Sequence, residues 1–301
     1  MGCYRLLVYI GDVENRIMKT KPGLVLLTVL LTFSNYAVAA ADPNFYVFLC
    51  FGQSNMDGAG RIERQDQSVN EHFQVLATLD DSERARKKGH WYPAVPPLCR
   101  PTGGLGPADY FGRTLVANLP EHIRVGIVNV AVPGCKIELF EKDTYHAYAE
   151  KAPPWMTNFI NEYNGNPYQY LVDMAKQAQK DGVIKGILLH QGESNNGDRQ
   201  WPTKVKGIYD NLLQDLNLKA ADVPLLAGEL VAKDQGGACA GMNTIIDELP
   251  KTIPTAHVIS ATGCTKANSL HFNPAGYRLL GTRYGEEMLS LLGYPVKQQS
   301  Q

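Results

Sequence analysis

Five apolar runs, separated by amphipathic stretches, constrain the fold of this chain more than any other feature. They span residues 45–51, 123–131, 183–189, 223–231 and 256–261. Most are continuous and rich in leucine or β-branched residues, as is typical of parallel strands buried on both faces. Alternation of such strands with helices predicts a three-layer α/β/α domain built on a five-stranded parallel sheet.

Apolar residues at steps of three and four predict helices between these runs. The three clearest stripes are Leu171, Met174, Ala175 and Ala178; Val205, Ile208, Tyr209, Leu212 and Leu216; and Tyr277, Leu280, Tyr284, Met288 and Leu291. Asn273 followed by Pro274 is a typical helix start and predicts where the last helix begins.

Residues 61–106 interrupt the alternation, mixing charge with proline and glycine. Residues 73–76 and 91–95 predict two short strands that could pair as a hairpin. The segment follows the first strand directly, so it could wall a ligand cleft or be a surface excursion without a role. Trp91 within it is a candidate substrate-contacting residue, although such a tryptophan is more often a core or rim packing residue.

Composition bounds the functional class. The chain has 301 residues, 44% of them apolar and 20% charged, with a formal net charge of −1. This is a globular composition without the basic footprint of a nucleic-acid-binding protein. No CxxC motif occurs, and His190 with Glu193 lacks a third ligand at sensible spacing, so neither a metal nor a cofactor is expected.

The N-terminal region has the pattern of a targeting segment. A basic stretch from Met18 precedes an apolar run at residues 23–33, and Ala37-Val38-Ala39 fits a signal-peptidase site. We therefore expect residues 1–17 to be a mis-called extension, residues 18–39 a signal peptide, and residues 40–301 one secreted or periplasmic domain. An uncleaved membrane anchor is the rival interpretation, but the run is short for spanning a bilayer.

Cleavage after Ala39 would leave five cysteines, of which at least one must be free or pair between chains. Cys50 lies in a strand pattern and is expected to be a small buried hydrophobe. A bridge between Cys239 and Cys264 is left open.

Polar motifs follow three of the predicted strands. Gly52-Gln53-Ser54-Asn55-Met56 follows the first, Pro133-Gly134-Cys135 the second, and His190-Gln191-Gly192-Glu193-Ser194 the third. Asn268-Ser269-Leu270-His271 comes just before the last helix. Because carboxyl ends of parallel strands meet at one rim, these groups should lie together. Ser54 could be a nucleophile there, or merely cap a helix.

Together, GQSNM, HQGES and LHFNPAGY resemble the SGNH-type carbohydrate esterases. The branch is the sialate O-acetylesterase-like group, with the acetylxylan esterases of carbohydrate esterase family six. The resemblance spans roughly residues 45–292. It implies a flavodoxin-like sheet of order 2-1-3-4-5, serine esterase chemistry and acetylated oligo- or polysaccharide as substrate.

The resemblance also implies site roles. Ser54 corresponds to the nucleophile and His271 to its general base. The amides of Ser54 and Gly134 and the side chain of Gln191 correspond to the oxyanion hole. Asn55 could hold the turn or donate to the oxyanion.

Asn268 departs from the family pattern, in which an aspartate commonly stands three residues before the histidine. A neutral amide cannot balance imidazolium charge, so another acid, a weak dyad or a non-enzyme would each be consistent with it. We expect Glu193 to supply the acid, as the glutamate of the similar HQGE string does in related acetylxylan esterases.

We therefore expect a secreted esterase that removes acetyl groups from xylan or a related plant polysaccharide, without stable membrane association. Sialate O-acetyl groups are an alternative substrate, mildly disfavoured by the slight negative charge. A non-catalytic carbohydrate-binding protein on the same fold is the alternative of another class.

Overall fold

The computed structural model describes residues 40–296, so the predicted extension and signal peptide lie outside the described residues. One sheet of seven strands forms the centre of this part of the chain. The strands are β1 Phe45–Gly52, β2 Phe73–Leu76, β3 Trp91–Pro93, β4 Arg124–Ala131, β5 Val183–His190, β6 Leu225–Gly228 and β7 Ala256–Ile259.

The strand order is β3-β2-β4-β1-β5-β6-β7. The five strands that the apolar runs predicted, β4-β1-β5-β6-β7, are parallel and have the flavodoxin-like order 2-1-3-4-5. The α/β class is thus confirmed, whereas the count of five strands is wrong. The predicted hairpin forms, with β2 antiparallel to β3, but β2 also pairs in parallel with β4 and extends the same sheet.

Helices cover both faces of the sheet. The nine within residues 40–296 are α1 Ser54–Asp57, α2 Pro107–Asn118, α3 Tyr145–Ala149, α4 Pro154–Glu162, α5 Pro167–Ala178, α6 Trp201–Asp215, α7 Asn243–Ile246, α8 Leu249–Thr252 and α9 Pro274–Leu291. Buried residues of α5 and α6 join one apolar core, and those of α2 and α9 join a second core on the other face. The predicted three layers are confirmed.

The predicted helical stripes lie where the sequence placed them. Leu171 and Ala175 on α5 and Leu212 on α6 are fully buried. On α9, Tyr277 is fully buried whereas Leu291 at the end of the helix is exposed. Asn273 caps this helix as expected, its side-chain oxygen accepting the amide of Gly276 at 2.9 Å.

Cys50 is buried within β1, as expected, and Cys239 and Cys264 are separate thiols. Among the helices formed by residues 40–296, none combines the length and the apolar character that crossing a membrane requires.

Candidate active site

The turn after β1 brings Ser54 to the carboxyl-end rim of the sheet. Gly52 ends the strand with a φ of +150°, and a side chain there would place its Cβ 2.1 Å from the carbonyl oxygen of His190. The amide of Gln53 donates to that same oxygen at 3.1 Å. Only glycine allows so close an approach of β1 to the end of β5. Ser54 then begins α1 and is half-buried.

His271 reaches Ser54 from the loop between β7 and α9. Its Nε2 lies 2.8 Å from Oγ of Ser54. The loop is held by its own backbone, since the amides of Ala267 and Asn268 both donate to the carbonyl of His271, at 2.9 and 3.3 Å. Partial burial lowers the pKa of His271 below its usual value, so the ring is neutral at pH 7 and able to accept a proton.

Asn268 is the residue that contacts the other nitrogen of this imidazole. Its Oδ1 lies 3.2 Å from Nδ1 of His271 and also accepts the backbone amides of Leu270 and His271, each at 2.9 Å. The two backbone donors identify this atom as the oxygen of the amide. Because it can only accept, Nδ1 carries the proton and Nε2 offers its lone pair to Ser54.

Glu193, expected as the acid, does not hydrogen-bond to His271 in the described structure. Its Oε1 accepts from Nδ2 of Asn55 at 2.5 Å, and Oε2 has no protein partner within residues 40–296. Burial raises the pKa of Glu193 to about 7. The nearest connection to the base is indirect, because the same Nδ2 of Asn55 donates to the carbonyl of Leu270 at 2.9 Å.

Both polar atoms of the Asn55 side chain are hydrogen-bonded within the protein. In addition to its two donated bonds, its Oδ1 accepts from the hydroxyl of Tyr277 at 2.5 Å. Asn55 is completely buried, so it lies where a turn-holding residue would, and both its polar atoms already have partners. Tyr277 in this contact is a supporting residue that the sequence pattern presented only as part of a helix stripe.

Gly134 lies beside the nucleophile turn, and its amide is available. The amide of Val132 donates to the carbonyl of Gly52 at 3.1 Å, and the hydroxyl of Ser194 donates to the carbonyl of Gly134 at 2.8 Å. No acceptor within residues 40–296 takes the amides of Gly134 or Ser54. The two expected backbone donors are thus unengaged at one rim.

The side chain of Gln191 points into the protein interior, so it does not lie as expected of an oxyanion donor. Its Nε2 faces Oδ1 of Asn195 at 2.7 Å, Oε1 of Gln53 at 3.1 Å and the carbonyl of Cys135 at 3.3 Å. Its Oε1 accepts from the indole of Trp201 at 2.5 Å, and the residue is 1% exposed. Both protons of the amide are already used, so Gln191 braces the site from within.

The ring of Trp91 lies at the amino end of β1, away from the carboxyl-end rim that holds Ser54. This ring packs edge-on against Phe45, the first residue of β1, with centroids 4.7 Å apart, and the indole donates to Asp181. β1 rises roughly 3.3 Å per residue, so most of the length of this strand separates the Trp91 ring from the nucleophile. The structure does not bring Trp91 into the site.

Trp155 is the aromatic residue that the structure does place beside the site. A Cβ added at Gly134 would sit 2.6 Å from Cη2 of Trp155. No motif indicated this, because α4 lies in the long connection between β4 and β5. Between residues 40 and 296, no cluster of three or more His, Cys, Asp or Glu side chains is arranged to hold a metal ion.

A rim serine hydrogen-bonded to a histidine, on a 2-1-3-4-5 parallel sheet, defines a hydrolase of the SGNH class. The family model for "Carbohydrate esterase, sialic acid-specific acetylesterase" matches residues 44–290. The chain belongs to this carbohydrate esterase family and is a carboxylic ester hydrolase.

Solved structures agree on the fold. A protein from Arabidopsis thaliana is 21% identical, with 83% of this chain and 99% of that chain covered and a TM-score of 0.62. NanS is 17% identical, with 84% and 99% covered and a TM-score of 0.63. At these identities the likeness concerns the architecture alone.

Proposed function

We propose that the chain is a secreted O-acetylesterase that acts on acetylated carbohydrate through Ser54 and His271. The observation that carries this proposal is the 2.8 Å contact between Oγ of Ser54 and Nε2 of His271. A neutral hydroxyl is a weak nucleophile, and an imidazole lone pair at this distance can remove its proton during attack.

The reaction then has two halves. Oγ of Ser54 attacks the acetyl carbonyl carbon while Nε2 of His271 takes the hydroxyl proton. The tetrahedral oxyanion is stabilised by the amides of Ser54 and Gly134. Collapse breaks the bond to the sugar oxygen, which leaves with the proton from His271. Water, deprotonated by the same imidazole, then attacks the acetyl carbon of the acetyl-serine. The bond to Oγ breaks, His271 returns the proton to Oγ of Ser54, and acetate leaves.

In this proposal Asn268 orients His271, and Glu193 is a positioning residue that acts through Asn55. Glu193 contacts Asn55, and Asn55 holds the carbonyl of Leu270, the residue before the base. Asn268 can fix the tautomer of His271 but cannot neutralise the imidazolium that forms in the transition state. We therefore expect modest turnover compared with an enzyme that carries a carboxylate at this position.

Two substrate classes have separate support. Acetylated xylan or a similar neutral polysaccharide is supported by Arg100, whose charge is buried against Asp57 rather than free for an anionic sugar. Acetylated sialic acid is the second candidate, favoured by the description of the family model that the chain matches.

The test is acetate release from acetylated xylan, acetylated mannan and acetylated sialic acid by the wild type and by Ser54→Ala. We expect release from at least one polysaccharide and loss of turnover of about 10³-fold or more in Ser54→Ala. Release from acetylated sialic acid alone would show that sialic acid, and not a polysaccharide, is the substrate. Equal rates for the two proteins would refute the catalytic role of Ser54.

Export is a separate part of the proposal, supported by the basic and apolar pattern of residues 18–33. The N-terminal sequence of protein recovered outside the cytoplasm should begin at Ala40. A mature protein that retains residues 18–39 would contradict cleavage.

A further inference from the structure

Trp155 differs from the other two tryptophans of the chain in both exposure and hydrogen bonding. It is 52% exposed, whereas Trp201 is fully buried and Trp91 is partly buried. The indole nitrogens of Trp91 and Trp201 donate to Asp181 and Gln191. Within residues 40–296, no protein acceptor takes the indole N–H of Trp155, so this ring offers both an open face and a free donor.

The exposed ring is fixed in place rather than loosely attached. Its neighbours on α4, Met156 and Ile160, are buried in the core beneath the helix. Phe159 packs edge-on against it, with centroids 6.3 Å apart, and Arg100 lies over the Phe159 ring at 4.1 Å. A large apolar surface held this rigidly in water loses little entropy when a ligand covers it.

The Trp155 ring lies close to where the ester of a bound substrate would react. The six-membered ring of Trp155 lies against Gly134, whose amide is one of the two proposed oxyanion donors. A substrate whose acetyl oxygen meets that amide must have its alcohol part within about one sugar ring of the indole. Leu270, 37% exposed and adjacent to His271, provides a second apolar group on the side of the base.

We propose that Trp155 is a substrate-binding platform on which the pyranose ring bearing the acetyl group stacks. The proposal rests on the esterase function proposed above. Pyranose rings present a face of C–H groups, which an indole ring covers well, while their hydroxyls can accept from its N–H. The platform favours acetyl esters of cyclic sugars over small acyclic esters with the same acyl group.

The experiment compares kcat/KM of the wild type, Trp155→Ala and Trp155→Phe on an acetylated xylo-oligosaccharide and on ethyl acetate. We expect Trp155→Ala to lower kcat/KM on the sugar ester about ten- to a hundredfold, mainly through KM, with Trp155→Phe in between. Turnover of ethyl acetate should change by less than about twofold, because that ester has no ring to stack. Leu279→Ala, an exposed apolar residue on α9, is the matched control and should leave both activities unchanged.

Equal losses on the two esters would show a purely structural role for Trp155, and no loss on either would show no role; each result overturns the proposal. A loss specific to longer acyl chains, measured on p-nitrophenyl esters from acetyl to hexanoyl, would assign the ring to the acyl side instead. Failure of the wild type to release acetate from any sugar ester would refute the proposed function itself.

Binding gives a second measurement that is independent of turnover. Titration of Ser54→Ala with the acetylated oligosaccharide should change tryptophan fluorescence, because Trp155 is the most exposed of the three indoles. The double variant Ser54→Ala/Trp155→Phe should lose this change. An undiminished signal in the double variant would contradict the stacking contact.

Discussion

Asp57 and Arg100 form a buried bidentate ion pair that joins the nucleophile helix to the helix of Trp155. Nε and Nη2 of Arg100 donate to the two carboxylate oxygens at 2.9 and 2.8 Å. On its other side, Arg100 lies over Phe159 and donates to Glu162 at 3.4 Å, both on α4. One guanidinium therefore fixes the last residue of α1 relative to α4, and with it the distance between Ser54 and Trp155.

Breaking this pair on one side should be strongly destabilising. Asp57→Asn leaves the buried charge of Arg100 with only the half-exposed Glu162 carboxylate, 3.4 Å away, as an anionic partner, and we expect a loss of about 3 kcal/mol in the free energy of unfolding. Urea denaturation measures it. The double variant Asp57→Asn/Arg100→Met should lose less than the sum of the single changes; strict additivity would show that the two residues are not coupled.

Restoring a carboxylate at position 268 should strengthen the base. In Asn268→Asp the new charge next to Nδ1 stabilises the imidazolium, and we expect kcat to rise by up to about tenfold for each unit by which the pKa of His271 increases, because the proton is only partly transferred in the transition state. Burial lowers the pKa of the wild-type base below the usual histidine value, so hydrolysis should rise with pH in the acid range and level off before neutrality. In Asn268→Asp the rising part of the pH–rate profile should move to higher pH. A faster enzyme with an unmoved profile, or an unchanged rate, would contradict this role for residue 268.

Glu193 should make stability fall with pH. Its pKa is raised from 4.5 to about 7 by burial, so the unfolded chain ionises first as pH rises and the folded state is progressively disfavoured between these values. Glu193→Gln removes this cost and should stabilise the protein by about 3 kcal/mol at pH 8, with no gain at pH 4. Unfolding at the two pH values measures the difference. Glu286→Gln on the exposed face of α9 is the control, and a pH-independent effect of Glu193→Gln would rule out the explanation.

Gly134→Ala should destabilise the protein, in part through a clash with Trp155. The residue has a φ of +71°, and its new Cβ would lie 2.6 Å from Cη2 of the indole. The left-handed backbone costs about 1–2 kcal/mol, and the clash adds to it. In the Trp155→Ala background only the backbone cost remains, so the stability loss from Gly134→Ala should be smaller there, as thermal unfolding can measure. An equal loss in both backgrounds would show that the indole does not occupy this position.

The sheet order and the meeting of Ser54 with His271 could be predicted because both follow from the rim of a parallel sheet. The continuous apolar runs identified the strands, and a resemblance supplied the order. The hairpin at residues 73–93 was also expected, but not that β2 would join β4, because pairing partners depend on contacts distant in sequence.

Other parts of the site depend on side-chain direction, which motifs do not specify. Gln191 follows β5 as predicted but points inward, because Asn195, Gln53 and Trp201 offer it buried partners. Asp57 is buried against Arg100, a partner 43 positions away, and no pattern in the sequence indicates that pair. Such pairs have no local signature in the sequence.

The two edge strands of the sheet are too short to pair extensively with a strand from another molecule. Within the described chain the sheet ends on one side at the three residues of β3, the last of them Pro93 without an amide proton, and on the other at the four residues of β7. A strand from a second molecule could form only a few ladder hydrogen bonds at either border, each contributing about 1 kcal/mol. That is small beside the roughly 4–15 kcal/mol lost on association. Strand-by-strand polymerisation is therefore disfavoured even when the protein is highly concentrated.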